Sequence, residues 1–200
     1  MSCVQQFPQH LLDLVKTSKY VHVATCSTDC IPSVSLMNYI YVPGERSFAP
    51  EDRSCDYIVF ATLNNTEKYQ NIISNPIVSL LFHDWITAKN LSLKKRSLSK
   101  SSASDQEEVA EGSGTSHSSK LLNLLQELNQ SELFQMSATI RGHAAVIAPN
   151  SEESSHYKKL LLRTNPDAHV FIEDAKTVII KVKIQSAKVT DSENNTSIYT

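Results

Sequence analysis

The run Tyr57-Ile-Val-Phe-Ala-Thr62, Leu63-Asn-Asn-Thr66, Glu67-Lys-Tyr-Gln-Asn-Ile-Ile-Ser-Asn75 and Pro76-Ile-Val-Ser-Leu-Leu-Phe82 decides how this chain folds. Tyr57–Ala61 is compact and apolar, which reads as a strand. Leu63 to Thr66 supplies capping residues ahead of a short helix carrying Tyr69, Ile72 and Ile73. Asn75-Pro76 ends that helix, because a residue before proline is pushed out of the helical region. Ile77–Phe82 is nearly all apolar, which predicts a strand buried on both faces.

Working outward, Leu11, Leu12, Leu14 and Val15 stand at helical spacing within Pro8–Lys19. In Tyr20–Ser27 the period becomes two, with Val21, Val23 and Thr25 alternating against His22, Ala24 and Cys26, so this is a strand. Thr28, Asp29 and Cys30 form a turn, and Ser33–Val42 reads as a second, longer strand before a polar loop to Asp56. Beyond the midpoint, Met136–Ile147 reads as a strand, Ser151–Leu162 as a helix, and Ala168–Ile172 and Thr177–Thr190 as two closing strands. In the last, Val178, Ile180, Val182 and Ile184 alternate with Lys181, Lys183 and Gln185, so one face should meet water. Short antiparallel strands in this number close into a small barrel or sandwich.

The segment Ser92–Ser119 is dense in Ser, Glu and Lys and cannot bury enough surface to offset its ordering entropy, so it is expected to be disordered. Lys120–Leu128 is amphipathic. The formal net charge of -2 offers no broad basic field for nucleic acid, and no uncharged apolar run reaches membrane-spanning length. The first residues lack a signal peptide's basic start and apolar run, which predicts a cytoplasmic protein. Lys94-Lys95-Arg96 is a weak nuclear-localisation match. In that compartment Cys3, Cys26, Cys30 and Cys55 are expected as reduced thiols, and their spacing provides no zinc site.

Two stretches resemble the pyridoxamine 5′-phosphate oxidase-like split barrels. The first is His22-Val-Ala-Thr25 followed by Ile31-Pro-Ser-Val-Ser35; the second is Tyr57–Thr62, Thr66-Glu-Lys68 and Asn71–Phe82. The resemblance covers residues 8–88 and, more weakly, 136–190, and the chain looks like a fungal member of the group. It implies a mainly β, FMN-binding antiparallel Greek-key split barrel with short flanking helices. Residues 1–200 would form one domain with an insertion at about 89–135. It also implies a homodimer with a cofactor site at the subunit interface.

Read by pattern alone, Asn65 or Thr66 caps a helix and Lys68 is a solvated surface lysine. The resemblance implies instead that Thr66 and Lys68 hold the FMN phosphate at a helix N-terminus, whose unpaired N–H groups suit an anion. It places Ser35, Leu36, Met37 and Asn38 along the cofactor, Ala61 and Thr62 beside the ribityl chain and phosphate, and Trp85 and Ser137 near the ring. Leu36 and Met37 read equally as barrel core. Ser35 stands where the oxidase has a phosphate-binding arginine, and Glu67 where the family often has a second base. The oxidase's C-terminal arginine- and tryptophan-containing clamp has no counterpart in Asp191–Thr200, which argues against pyridoxamine phosphate oxidation itself. Two functions stay open: an FMN-dependent oxidoreductase acting on a small molecule, and a non-catalytic split-barrel dimer acting as an interaction module.

Overall fold

The computed structural model describes residues 7–83, 136–191 and 193–200. The insertion at 89–135, the amphipathic segment Lys120–Leu128 and Trp85 lie outside the described residues. Leu11, Leu14 and Val15 form the buried stripe of α1 (Gln9–Thr17). The strands are β1 (Tyr20–Cys26), β2 (Pro32–Asn38), β3 (Ile40–Val42), β4 (Tyr57–Leu63), β5 (Ile77–His83), β6 (Ser137–Val146), β7 (Thr177–Thr190) and β8 (Thr196–Tyr199). The remaining helices are α2 (Glu67–Ser74), α3 (Glu152–Thr164) and α4 (His169–Ile172). None is long and apolar enough to cross a membrane.

The sheet runs β2-β1-β5-β6-β7-β4-β3, with β8 paired to the C-terminal half of β7. Among the described residues, every strand pairing is antiparallel. Its two end strands, β2 and β3, are consecutive in the chain and separated only by Tyr39. The expected single strand Ser33–Val42 is therefore two strands with a bend between them. That bend carries the chain from one end of the sheet to the other and curls it into the barrel. Tyr39 is buried there, edge-on to Phe82 at 5.3 Å between centroids, and its hydroxyl donates to the Val15 carbonyl.

Alternation then sorts the side chains. Val21, Val23, Ile58, Phe60, Leu80, Phe82, Ile140, Ile180 and Val182 fill the barrel interior. A second core lies between α3 and the outside of β3, β4 and β7, built from Ile40, Val42, Val59, Tyr157, Leu161 and Ile179. The strands buried on both faces are thus β4 and the start of β7, and the expectation for Ile77–Phe82 fails in this chain. Val78, Leu80 and Phe82 are buried, but Ile77 is 42% exposed and Leu81 39%. The wet face expected for Thr177–Thr190 is also partly covered, since α3 shields Ile179 and Glu153 of α3 binds Lys181. Ala168–Ile172 is helical rather than extended, because Pro166 at the first helical position starts a turn. Cys26 and Cys30 are free thiols as expected, but Cys55 is disulfide-bonded, a pairing that compartment arguments cannot see.

Strand β8 was not foreseen. Asp191 folds it back by accepting hydrogen bonds from the Glu193 and Asn195 N–H groups at 3.0 and 2.8 Å. A register shift between Arg141 and Gly142 lets the long β7 bend along β6. A Cβ on Gly142 would sit 2.5 Å from Val182 Cγ1 and 2.6 Å from the Lys183 carbonyl oxygen. Gly142→Ala should therefore cost about 1–3 kcal/mol in urea unfolding, because a ladder carbonyl must move. An unchanged midpoint would show that the ladder yields freely there.

Candidate functional site

Thr66 caps α2, its Oγ1 accepting from the Tyr69 N–H at 3.3 Å and donating to the Leu63 carbonyl at 2.9 Å. The same hydroxyl lies 3.2 Å from Thr62 Oγ1 at the end of β4. Lys68, in the first turn of α2, is 8% exposed rather than the solvated surface lysine of the pattern reading. Its Nζ donates to Thr62 Oγ1 at 3.2 Å, and no carboxylate pairs with it among the described residues. Burial lowers its pKa. Helix α2 is held against the barrel by Ile72 and by Asn71, whose Nδ2 donates to Thr25 Oγ1 at 3.1 Å.

Lys181 is the contrasting case. Burial alone would lower its pKa, but hydrogen bonds and charge from Asp52 and Glu153 outweigh it and raise the pKa. Tyr57 donates to the same Asp52 at 2.9 Å. Lys181 therefore has its counter-charges and serves the fold, fastening β7 to α3 and to the loop before β4. Lys68 has a hydroxyl and no anion.

A cavity of about 300 Å³ opens beside the Thr62–Thr66 pair. Leu36, Met37 and Asn38 of β2, Ala61 and Thr62 of β4, and Thr66 line it. Lys68 does not line it but stands behind Thr62. Ser35 pairs opposite Val23, and Ser137 opposite His83 and Thr190; neither reaches the cavity. Asn38 Oδ1 is buried without a hydrogen-bond partner. The other wall comes from residues the sequence reading passed over: Leu63, then Leu161 of α3, and Ala168, Phe171 and Ile172 around α4. Reading Ala168–Ile172 as a strand hid them; Asn165-Pro166 ahead of that run was the available signal for a helix start.

The family model for pyridoxamine 5′-phosphate oxidase matches residues 7–191. A pyridoxamine 5′-phosphate oxidase homolog of Saccharomyces cerevisiae is 53% identical over 196 residues, 98% of this chain and 96% of its own. Among solved structures, a FAD-binding protein from Mesorhizobium loti superposes with a TM-score of 0.54 at 11% identity, over 92% of this chain and 94% of its own. A haem storage protein from Vibrio cholerae superposes with a TM-score of 0.53 at 10% identity, over 97% and 95%. At those identities the likeness is one of fold.

An unpaired buried ammonium weakens the fold wherever it is charged. With its pKa lowered on folding, Lys68 imposes that cost fully below its folded pKa and releases it as pH rises towards the unfolded value. In ligand-free protein, Lys68→Met should leave stability unchanged or raise it by up to about 2 kcal/mol at neutral pH. The variant should also lose part of the stability gained on going alkaline. Denaturant titrations at neutral and alkaline pH check both, and a clear loss of stability would mean that the ammonium already has a partner.

Proposed function

We infer the function from one premise: the chain belongs to the pyridoxamine 5′-phosphate oxidase family. We propose that it is an FMN-binding flavoprotein with oxidoreductase activity on a small molecule, acting as a homodimer. The observation that carries this reading is Lys68, a buried cation beside a helix N-terminus that has no counter-ion among the described residues. An anion is the group such a site lacks, and a phosphate monoester suits it. Thr62 would donate to the phosphate from the cavity wall, Thr66 would join it by turning its proton away from the Leu63 carbonyl, and Lys68 would neutralise it from behind. Ala61 lets the ligand lie close to β4, and Leu36 and Met37 offer an apolar flank for a flat ring. When bound, FMN supplies the redox chemistry; the chain's residues bind it, orient it and limit water. The FAD-binding neighbour adds support at the level of flavin chemistry.

Support for the dimer comes from the outer face of β2, β1 and β5. Register places Leu36, His22 and Leu81 in one cross-strand row, and Val34, Ala24 and Ser79 in the next. Val34, Leu36, Ile77 and Leu81 are all exposed large apolar residues. Such a patch on a small domain calls for a cover, and an isologous partner supplies one. Leu36 belongs both to this face and to the cavity, so the partner would adjoin the cofactor. The second reading, a non-catalytic interaction module, draws on Ser35, which gives the phosphate no further cation.

Protein purified without added cofactor should carry flavin absorbance, or gain it on adding FMN. Lys68→Ala should weaken FMN by roughly 1.5–3 kcal/mol, about ten- to a hundred-fold, while riboflavin binding hardly changes. Flavin fluorescence titrations decide this; equal losses for both ligands would return Lys68 to a purely structural role.

Leu81→Glu should convert the dimer to a monomer in sedimentation experiments, since a charge buried in an apolar interface is unpaired. A wild-type chain that is monomeric at micromolar concentration would end the dimer reading.

A further inference from the structure

We propose that the α3–α4 side of the cavity binds an uncharged, planar aromatic molecule and rejects anionic ones. This rests on the flavin reading for the opposite side and names the class of second ligand. Leu161, Ala168, Phe171 and Ile172 form that wall, and none offers a polar side-chain atom. Among the described residues, none lining the cavity is charged. Lys68, the buried cation nearby among the described residues, stands behind Thr62 on the other wall and, in the flavin reading, is committed to the cofactor phosphate. A second phosphate, sulfonate or carboxylate entering here would shed water and find no counter-charge, which is strongly unfavourable.

The wall is also preformed. Leu161 and Ile172 are 1% and 2% exposed, so the two helices are anchored in the second core. Thr177 Oγ1 donates to the Phe171 carbonyl at 2.7 Å and fixes the end of α4 to β7. Phe171 itself is 69% exposed, beside Val170 at 65%, although it lines the cavity. A rigid four-residue helix thus holds an aromatic ring at the cavity mouth with little packed against it, an arrangement that gains by stacking on another ring.

The test uses two probes of the same bicyclic shape, 2-naphthol, neutral at pH 7, and 2-naphthalenesulfonate. Both are titrated calorimetrically into full-length protein saturated with FMN. The neutral probe should bind at least tenfold more tightly. Phe171→Ala should weaken 2-naphthol several-fold, and Phe171→Arg should reverse the preference, since an exposed position accepts arginine without disturbing the core. Equal or tighter binding of the sulfonate, or indifference of 2-naphthol to Phe171→Ala, overturns the proposal. Should the chain take up no flavin, the flavin reading fails alone. The same titrations on flavin-free Lys68→Met protein, in which no buried ammonium is left to attract the sulfonate, then decide this one by the same criteria.

Discussion

Strands β4 and β7 pair over Tyr57–Leu63 and Thr177–Lys183, and both carry apolar side chains on both faces. That pairing needs two covers. Ile58, Phe60, Ile180 and Val182 turn into the barrel, while Val59 and Ile179 turn outward and must be shielded by α3. Everything at the candidate site hangs from this arrangement. The C-terminal end of β4 delivers Ala61 and Thr62 to the cavity, the turn that follows delivers Thr66, and the helix covering the outer face delivers Leu161. A one-residue slip of β4 against β7 would exchange the two cores and move Thr62 to the wrong face.

Charge is used in two opposite ways within this frame. Lys181 lies on the outer face of β7 and is satisfied by two carboxylates and by the ring of Tyr57 at 5.3 Å. It closes the second core against solvent and has nothing left to give a ligand. Lys68 is buried too, but among the described residues its ammonium has only the Thr62 hydroxyl as a partner. A buried charge without a partner is costly, and its persistence next to a cavity is easier to understand if something outside the protein completes it.

The alternating periods of β1 and β7, the compact apolar run of β4, the Thr66 cap and the Asn75-Pro76 stop are local signals, and the structure places those elements within a residue or two of where the residues put them. Two elements were not legible. Ala168–Ile172 is apolar and short, and a run of that length fits a strand or a buried helical turn equally. Strand β8 is polar, and it exists because β7 outruns β4 and leaves a free edge for it. The site was half visible for the same reason. Residues following a capped helix or ending a strand can be picked out in sequence, whereas Leu161, Phe171 and Ile172 come to the cavity only through the packing of α3 and α4.

Sequence alone determined the two-residue period of β1 and β7, the start and stop of α2, and the resemblance that groups Thr62, Thr66 and Lys68, because these depend on neighbours along the chain. Tertiary structure alone decided that Ser33–Val42 bends at Tyr39 and that β4 rather than β5 is covered on both faces. It also decided that Lys68 is buried beside Thr62 instead of solvated. Burial and counter-charge belong to the space around a residue, and that space is filled here by strands far away in the chain.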